Sequence, residues 1–426
     1  MSRLVISNSS QLLLIPSSFD CWLPENHPVR FFQELMEELD LSSFNDAIDL
    51  DEKRGRPAFE PIMLANIVLY GQMDGISSAR DLARACIERL DFRFLTGNRS
   101  PKYRTIARFK ENNLKALAGL HEQVLLIAAS EGLIEMKQVS IDGSKVLADA
   151  SKHKAMSYQY MCDREIELQT EIQGLKKARS KGSRAKRNEI EEDLKFKKNR
   201  LSHVRKWKQA LEDRAHQEGR QKPEPKEQIN FTDVESRIMR VEKQFEQTYN
   251  AQAAVDKRSQ IILVQLVTQD HNDKQLLETM LDGIANTIGL VPDCALADSG
   301  YFSEEQIRKV QEKYKSTKFL VPPDREHGER VVATRGRMPK NISAADRMRR
   351  ALKTKHGRSV YAERKTTVEP VFGQIKESNL NFRQFSYRGL EKVQHEWGLV
   401  CIAHNLLKII RHRQGRQKAG IRLVAA

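Results

Sequence analysis

Long apolar runs and clustered cysteines are both missing from this 426-residue sequence. Its apolar stretches, such as residues 261–264, are far shorter than the ~20 residues that a membrane-spanning helix needs. The five cysteines stand far apart without a CxxC pair, which argues against a disulfide framework and a structural zinc site and favours a reducing compartment. Residues 1–14 contain one basic residue and no small-residue cleavage site, so a secretory signal is not expected.

Negative charge is scarce relative to positive charge, above all near the C-terminus. The chain has 72 Lys and Arg against 57 Asp and Glu, a net charge of +15, and residues 330–426 hold 22 of these cations but only 6 of the acids. Concentrated positive charge predicts a polyanion partner, most often nucleic acid, and a basic surface without a ligand is the alternative. The cations suited to phosphate contacts in the tail are Arg411, Arg413, Arg416, Lys418 and Arg422.

The N-terminal third has the apolar spacing of helices. Apolar residues recur at helical spacing in 29–41 and dominate 60–73, and a break at Asp74-Gly75 precedes a further helix over 79–89. Helix, glycine-containing turn, helix is the pattern of a helix-turn-helix, but an ordinary helical bundle explains it equally well. If the region reads DNA, the candidate contacts are Arg80, Arg104 and Arg108.

Residues 163–217 are strongly charged, with 16 Lys and Arg and 10 Asp and Glu. Apolar residues at helical spacing on both sides of a polar turn near 181–183 predict two antiparallel helices, a helical hairpin or coiled coil. A solvated hairpin without a ligand is the simplest interpretation. A proline-containing linker follows at 221–226.

The remaining pattern alternates strands and helices around this hairpin. A short strand is expected near 138–148, before the hairpin. After it we expect strands at 248–255 and 259–268 joined by a turn, a helix at 274–287, a strand at 294–297, a helix at 303–313 and a strand at 318–321. The sequence therefore predicts a mixed α/β core with a helical insertion.

Three carboxylates have positions suited to binding metal ions. Asp142 lies on the first strand, Asp298 follows a later strand, and Glu369 lies in a helix expected over 361–376. Carboxylates at the ends of two strands and on a helix can surround one or two Mg²⁺ ions, which prefer oxygen ligands. Spacing alone does not distinguish such a centre from separate caps and ion pairs.

The sequences around these acids closely resemble bacterial insertion-sequence transposases of the DDE class. The N-terminal region, including Leu69-Tyr70-Gly71 and residues 105–109, resembles the InsH-like helical domain of the same proteins, and the resemblance extends over about residues 20–412. The matching stretches are Asp142-Gly143-Ser144-Lys145, Leu296-Ala297-Asp298-Ser299-Gly300-Tyr301, Phe231-Thr232-Asp233, Tyr249-Asn250-Ala251-Gln252, residues 361–376, and Glu396-Trp397 with His404-Asn405-Leu406.

This resemblance implies a fold, a reaction and a cofactor. The expected fold is an RNase H-like mixed-sheet catalytic core with an all-helical N-terminal domain and an inserted charged helical hairpin. The implied reaction is metal-dependent cleavage and joining of DNA strands, with Asp142, Asp298 and Glu369 as both catalytic and metal-binding residues. The implied cofactor is Mg²⁺, as two ions that Mn²⁺ can replace, and the implied reaction requires no nucleophilic Ser or Tyr.

The third motif also predicts DNA contacts. Lys376 is seven residues after Glu369, two turns of an α-helix, so both would lie on one face. The related Tyr-Arg-Glu-Lys signature places its Arg four residues before the Glu, whereas Arg364 is five before and Lys365 is four before. Either the helix starts after Arg364, or Lys365 makes the phosphate contact. Tyr361, the first residue of the motif, is a further candidate DNA contact.

Other conspicuous residues have simpler explanations. Asp256, Asp273 and Asp293 are interpreted as a turn, a helix start and the residue before a strand. Tyr301 could stack on a base or pack beside the sheet, and Trp397 is expected in the core.

The sequence thus predicts a transposase with five segments that acts on double-stranded DNA, both the terminal inverted repeats and the target. We expect a homodimer or higher assembly on DNA, in the cytoplasm and associated with the bacterial nucleoid, without membrane contact. The alternatives are an RNase H-like nuclease that cuts without joining, a catalytically silent DNA-binding descendant, and a coiled-coil scaffold. The expected segments are a helical DNA-binding domain (1–136), the first part of the core (137–157), the inserted hairpin and linker (158–228), the rest of the core (229–385), and a basic helix and tail (386–426).

Overall fold

A computed structural model of the chain describes residues 19–44, 58–181, 184–323, 336 and 342–419. Two compact units can be distinguished. The first comprises the described parts of Met1–Glu135, Gln374–Asn381 and Leu399–Ala426, and the second those of Met136–Gly373 and Phe382–Gly398. Within the described ranges, no helix combines the length and apolar character that crossing a membrane requires.

The first unit is built from helices. Its N-terminal helices are α1 (Phe19–Trp22), α2 (Pro28–Glu38), α3 (Pro61–Met73), α4 (Ala79–Glu88), α5 (Leu90–Leu95), α6 (Tyr103–Gly119) and α7 (His121–Ser130). Helix α3 is apolar on nearly all sides and is the buried centre of the unit. Gly75, with φ of 73°, turns the chain between α3 and α4. The predicted helix, glycine turn and helix are therefore confirmed.

The second unit contains a mixed sheet, and the predicted strands are among its members. Strand β1 pairs antiparallel with β5 and parallel with β7, β7 pairs parallel with β8, and β4 and β6 pair with successive parts of β5. The sheet strands are β1 (Gln138–Leu147), β4 (Arg237–Val241), β5 (Gln244–Asp256), β6 (Ile262–Thr268), β7 (Cys294–Leu296) and β8 (Lys318–Leu320). A separate short pair is formed by β2 (Ala155–Ser157) and β3 (Gln228–Asn230).

Two helices connect the parallel strands, as expected for crossovers. They are α10 (Leu276–Ile288) and α11 (Glu304–Lys313), and Gly289 ends α10 in the left-handed conformation. Their apolar faces are buried, because helices that cover a sheet bury one stripe each. The predicted mixed α/β core is confirmed. Strand β4 was not predicted, since its two-residue turn to β5 is Glu242-Lys243 and lacks the Asn or Gly that usually marks a hairpin.

The charged segment forms the expected helical hairpin, α8 (Tyr158–Lys181) and α9 (Arg184–Gln217). Salt bridges connect the two helices, including those of Glu165 with Arg205 (2.8 Å) and Lys208 (2.9 Å). A small apolar cluster fixes the base of the hairpin, and its buried members are Met161, Leu168, Val204, Leu211 and Ile229. The hairpin is thus stabilised by apolar packing at its base and ion pairs along its length.

The C-terminal part is helical. Its helices are α12 (Ala344–Lys353), α13 (Lys355–Thr367), α14 (Glu369–Gly373), which continues as a π-helical turn (Gln374–Ser378), and α15 (Leu390–Lys418). Trp397 on α15 is fully buried, and its indole N–H donates to the carbonyl of Gln252 at 3.0 Å. Its predicted place in the core is confirmed.

One basic residue of α15 differs from the expectation. Arg413 is buried and bonds to Glu38 (2.8 Å) and Glu131 (2.6 Å), so it is not displayed for phosphate contacts. Glu131 and Glu38 are 282 and 375 residues away in sequence. The charge pattern of the tail alone therefore indicated a surface role. Arg411 is exposed, whereas Arg422 lies outside the described residues.

Candidate catalytic site

The pairing of β1 with β7 brings Asp142 and Asp298 to the same level of the sheet. The two strands are parallel, with Ser140 opposite Leu296, and each aspartate follows its paired residue by two positions. Asp142 remains on β1, whereas Asp298 begins a short turn, with its carboxylate accepting the N–H of Gly300 at 2.9 Å. Two acids that are 156 residues apart in sequence therefore face the same region.

Arg364 connects the third candidate acid to the first. Its guanidinium donates to Asp142 at 2.8 Å and lies 3.7 Å from Glu369. The side chain of Arg364 is only 10% exposed, whereas that of Glu369 is 52% exposed. Arg364 lies on α13, which ends at Thr367, whereas Glu369 begins α14, so the helix that carries Glu369 starts after Arg364, as the first of the two expectations required.

Burial raises the pKa values of the two aspartates. Burial raises the pKa of Asp142 to about 6, with the charge of Asp298 adding to the rise and Arg364 opposing it. Burial likewise raises the pKa of Asp298, although its hydrogen bond from Gly300 opposes the shift. Carboxylates with raised pKa values in one place are typical of functional sites.

The donor set has the chemistry of a site for hard divalent cations. Asp142, Asp298 and Glu369 offer only oxygen atoms, which suits Mg²⁺ or Mn²⁺. Among the described residues, no three Asp, Glu, His or Cys side chains are already arranged as a metal-binding group. The guanidinium of Arg364 contacts both Asp142 and Glu369 and supplies positive charge there.

A buried polar network lies beside the aspartates. Gln252 on β5 donates from Nε2 to Asp273 at 2.8 Å and to the side-chain oxygen of Asn250 at 3.0 Å. Asn250 also donates to Asp273, at 2.6 Å, and the hydroxyl of Tyr301 donates to Oε1 of Gln252. We call Asn250, Gln252, Asp273 and Tyr301 the amide network. Tyr301 is fully buried in it, which confirms the alternative that it packs beside the sheet.

Sequence reasoning did not assign a role to this network. Asp273 was interpreted as a helix start, and Asn250 and Gln252 were noted only as part of a matching stretch. The available signal was that Asn250 and Gln252 are two residues apart on one strand, so their side chains point to the same face. Two amides on one buried face need polar partners, which predicts a network.

The other residues predicted from the third motif lie in different surroundings. Tyr361 is half-buried on α13, and burial raises its pKa, while Lys365 is exposed on the same helix. Lys376 lies in the π-helical turn that follows α14 and is half-buried. The two-turn α-helical spacing assumed between Glu369 and Lys376 is therefore not kept.

The N-terminal candidates include an exposed cluster of cations around one aromatic ring. Arg80 on α4 and Arg104 on α6 place their guanidinium groups 5.4 Å and 5.9 Å from the ring centre of Tyr103. Arg104 also donates to the hydroxyl of Tyr103 at 3.2 Å. Arg108 is one turn further along α6 and is exposed. Sequence reasoning missed Tyr103, which holds the two arginines together.

The mixed sheet and its paired aspartates define an RNase H-like protein with an acidic centre. Comparison with family models gave two matches: Transposase DDE domain over residues 226–406 and Transposase domain (DUF772) over residues 17–112. Both matches are to transposase domains, and together they support an insertion-sequence DDE transposase that functions in DNA transposition. Comparisons with curated proteins and with solved structures gave no match.

The matched DDE segment includes Asp298 and Glu369 but begins after Asp142. Asp142 joins the site through the pairing of β1 with β5 and β7, which both lie within the matched segment. The family generally uses divalent metal ions and binds DNA.

Proposed function

We propose that this transposase binds the terminal inverted repeats of its insertion sequence, cuts there and joins the ends to target DNA. Asp142, Asp298 and Glu369 would be the catalytic carboxylates and would hold the metal. The observation that supports this most is the parallel register of β1 and β7, which sets Asp142 and Asp298 side by side. The contact of Arg364 with both Asp142 and Glu369 adds the third acid to the group.

The carboxylates would hold two Mg²⁺ ions, which Mn²⁺ can replace, because both ions accept carboxylate oxygens. When bound, such ions lower the pKa of the attacking water and stabilise the departing 3′ oxygen. The side chain of Glu369 is 52% exposed and that of Asp142 only 18%, so Glu369 is the more accessible of the two to DNA. Arg364 supplies the countercharge for Asp142 and Glu369. The freed 3′ hydroxyl then attacks a target phosphodiester, so no covalent bond between protein and DNA is required.

The candidate DNA contacts divide between cutting and recognition. We assign a phosphate contact beside the acids to Lys365, which is exposed, rather than to the buried Arg364, and further contacts to Tyr361 and Lys376. The cluster of Arg80, Tyr103, Arg104 and Arg108 would contact the inverted repeats, because exposed cations and an aromatic ring suit a DNA backbone. We retain the five predicted segments as functional divisions, with residues 1–136 for recognition.

Joining two ends requires two copies of the site on one DNA complex, so we propose a homodimer or a higher assembly. Action on the chromosome would place the protein at the nucleoid.

The function is tested by incubating the purified protein with labelled DNA that contains one insertion-sequence end, in Mg²⁺ or in EDTA. We expect nicking at the boundary of the insertion sequence in Mg²⁺ only, followed by joined products when target DNA is added. Nicking without joined products would support a nuclease, and specific binding without nicking in Mg²⁺ or Mn²⁺ would support a silent DNA-binding protein.

Removing charge from the N-terminal cluster should weaken end binding in a salt-dependent way. The variant combining Arg80→Ala, Arg104→Ala and Arg108→Ala should bind less tightly and lose roughly 2–3 units of the slope of log affinity against log salt, since each phosphate contact contributes about 0.9. Fluorescence anisotropy over a salt series measures this slope. The matched control is Arg84→Ala on α4, whose guanidinium pairs with Asp81 at 2.9 Å and should leave the slope unchanged. Equal slopes for the triple variant and wild type would exclude the cluster from the DNA interface.

A further inference from the structure

We propose that Gln252 and Asp273 are positioning residues that hold the segments carrying Asp142 and Asp298 in the arrangement needed for cutting. This inference rests on the proposed roles of those two aspartates. It assigns no direct contact with DNA or metal to Gln252 or Asp273.

Gln252 is held at both ends of its side-chain amide. Its nitrogen donates to Asp273 and to Asn250, and its oxygen accepts the hydroxyl of Tyr301. Its backbone carbonyl accepts the indole N–H of Trp397. The residue is fully buried, so a rotated amide would lose partners that water could not replace. Gln252 therefore has one well-defined position.

This fixed amide contacts the strand that carries Asp142. Gly143 on β1 lies opposite Gln252 on β5, and a Cβ atom at Gly143 would lie 2.1 Å from Nε2 of Gln252. The absence of a side chain at Gly143 lets the amide pack directly against the backbone of β1. The N–H of Gly143 donates to the carboxylate of Asp142 at 2.9 Å. The backbone that Gln252 supports is thus the backbone that orients Asp142.

The same amide reaches the turn that carries Asp298. Tyr301 is the last residue of the turn Ser299–Tyr301, which Asp298 caps through the N–H of Gly300. The hydrogen bond from Tyr301 to Gln252 ties the far end of that turn to β5. One side chain therefore connects the supports of both aspartates.

Asp273 fixes the amide from the opposite side. Its Oδ1 atom accepts from Asn250 and Gln252, and these two bonds determine which way the amide of Gln252 faces. Its other oxygen approaches Gly300, where an added Cβ would lie 3.5 Å away. The carboxylate of Asp273 also adds negative charge beside Asp298. A positioning role requires only that Asp273 accept hydrogen bonds through its oxygen, whereas an electrostatic role requires its negative charge.

The test compares two buried glutamines on β5. Gln252→Met removes the amide but keeps an unbranched side chain of similar length. Gln247→Met is the matched control, because Gln247 is also buried and its side-chain Oε1 accepts the hydroxyl of Ser236 at 2.9 Å. Hydrogen exchange followed by mass spectrometry on the metal-free protein reports the order of peptides covering residues 140–146 and 297–303. Mg²⁺-dependent nicking and end binding are measured on the same preparations, with thermal melting as the check of folding.

We expect Gln252→Met to speed exchange in both peptides by at least about tenfold relative to Gln247→Met and to slow nicking by at least about tenfold, with end binding unchanged. Asp273→Asn keeps an oxygen that can accept both amide donors, so it should retain most of the protection and nicking that Asp273→Ala loses. Unchanged exchange in Gln252→Met would overturn the positioning role. If Asp273→Asn is as damaging as Asp273→Ala, Asp273 acts through its charge, and its assignment as a positioning residue is overturned. If exchange responds as expected while wild type never nicks, the positioning role stands and the proposed function fails.

Discussion

Asparagine at position 142 is expected to abolish metal-dependent nicking while leaving end binding intact. The substitution keeps the shape of the side chain but removes the negative charge that a divalent ion requires from Asp142. Asp298→Asn and Glu369→Gln should have the same effect, each lowering the nicking rate by on the order of 10³-fold or more. Single-turnover nicking and anisotropy on the same DNA end separate the loss of cutting from any loss of binding.

The control is Glu305→Gln, which removes an exposed carboxylate on α11 of the same unit and should change nicking by less than about twofold. Strong nicking by any of the three site variants would remove that residue from the metal-binding set. Loss of end binding together with loss of nicking would count against the separation of recognition from cutting.

The negative charge of Asp142 also destabilises the folded protein, and the Asp142→Asn variant tests this effect. Its pKa is raised from 3.8 to about 6, so the folded protein binds the proton more tightly than the unfolded chain does. Stability is therefore lost as pH rises through about 4 to 6, and above pH 6 the loss is complete. Without metal at pH 7.5, Asp142→Asn should be more stable than wild type by roughly 1–3 kcal/mol. Loss of the ion pair between Arg364 and Asp142 reduces this gain. Melting curves should converge below about pH 4; a less stable variant at pH 7.5 would contradict this balance.

Alanine at position 413 should have the largest effect on stability. Arg413 is buried, and its guanidinium neutralises Glu131, which is also buried, and Glu38, which is half-exposed. Removing one member of a buried ion pair leaves its partner charged without compensation, which typically costs about 3–5 kcal/mol. Urea unfolding followed by circular dichroism measures the loss.

The matched control for this prediction is Arg411→Ala on the same helix, whose exposed guanidinium bonds to Asn379 at 3.0 Å and should contribute less than about 1 kcal/mol. End binding by Arg413→Ala below its melting temperature should equal that of wild type, because the side chain is not displayed to DNA. A small loss of stability combined with weaker binding would restore the phosphate-contact role first expected of the tail.

Local patterns predicted most of the secondary structure. The alternation of apolar residues located β5 and β6, and helical spacing located α3, α10 and the hairpin, because each of these depends on neighbours within a few turns or one strand. The strand β4 was missed because its turn lacks a glycine or asparagine signal. The third motif was expected as a regular helix, and its π-helical turn depends on surroundings that one helix cannot reveal.

The candidate acids could be named from sequence, whereas their environment could not. Asp142, Asp298 and Glu369 stood out through motifs that resemble a family. The position of Arg364 was ambiguous from spacing, since its partner Asp142 is 222 residues away. Asp273 likewise looked like an ordinary helix start until the sheet placed Asn250 and Gln252 against it. Contacts across the fold decide these roles, and periodicity records only contacts along the chain.

The short pair of strands at the base of the hairpin has a consequence for how this protein can change. Ala155 pairs with Asn230 and Ser157 with Gln228, so the chain leaves and re-enters the core at adjacent points. The segment between β2 and β3 is therefore an insertion whose length does not alter the path of β1 or β5. Insertions, deletions or whole replacement of the hairpin can therefore accumulate without moving Asp142 relative to Asp298. The core and the hairpin are thus free to diverge at different rates.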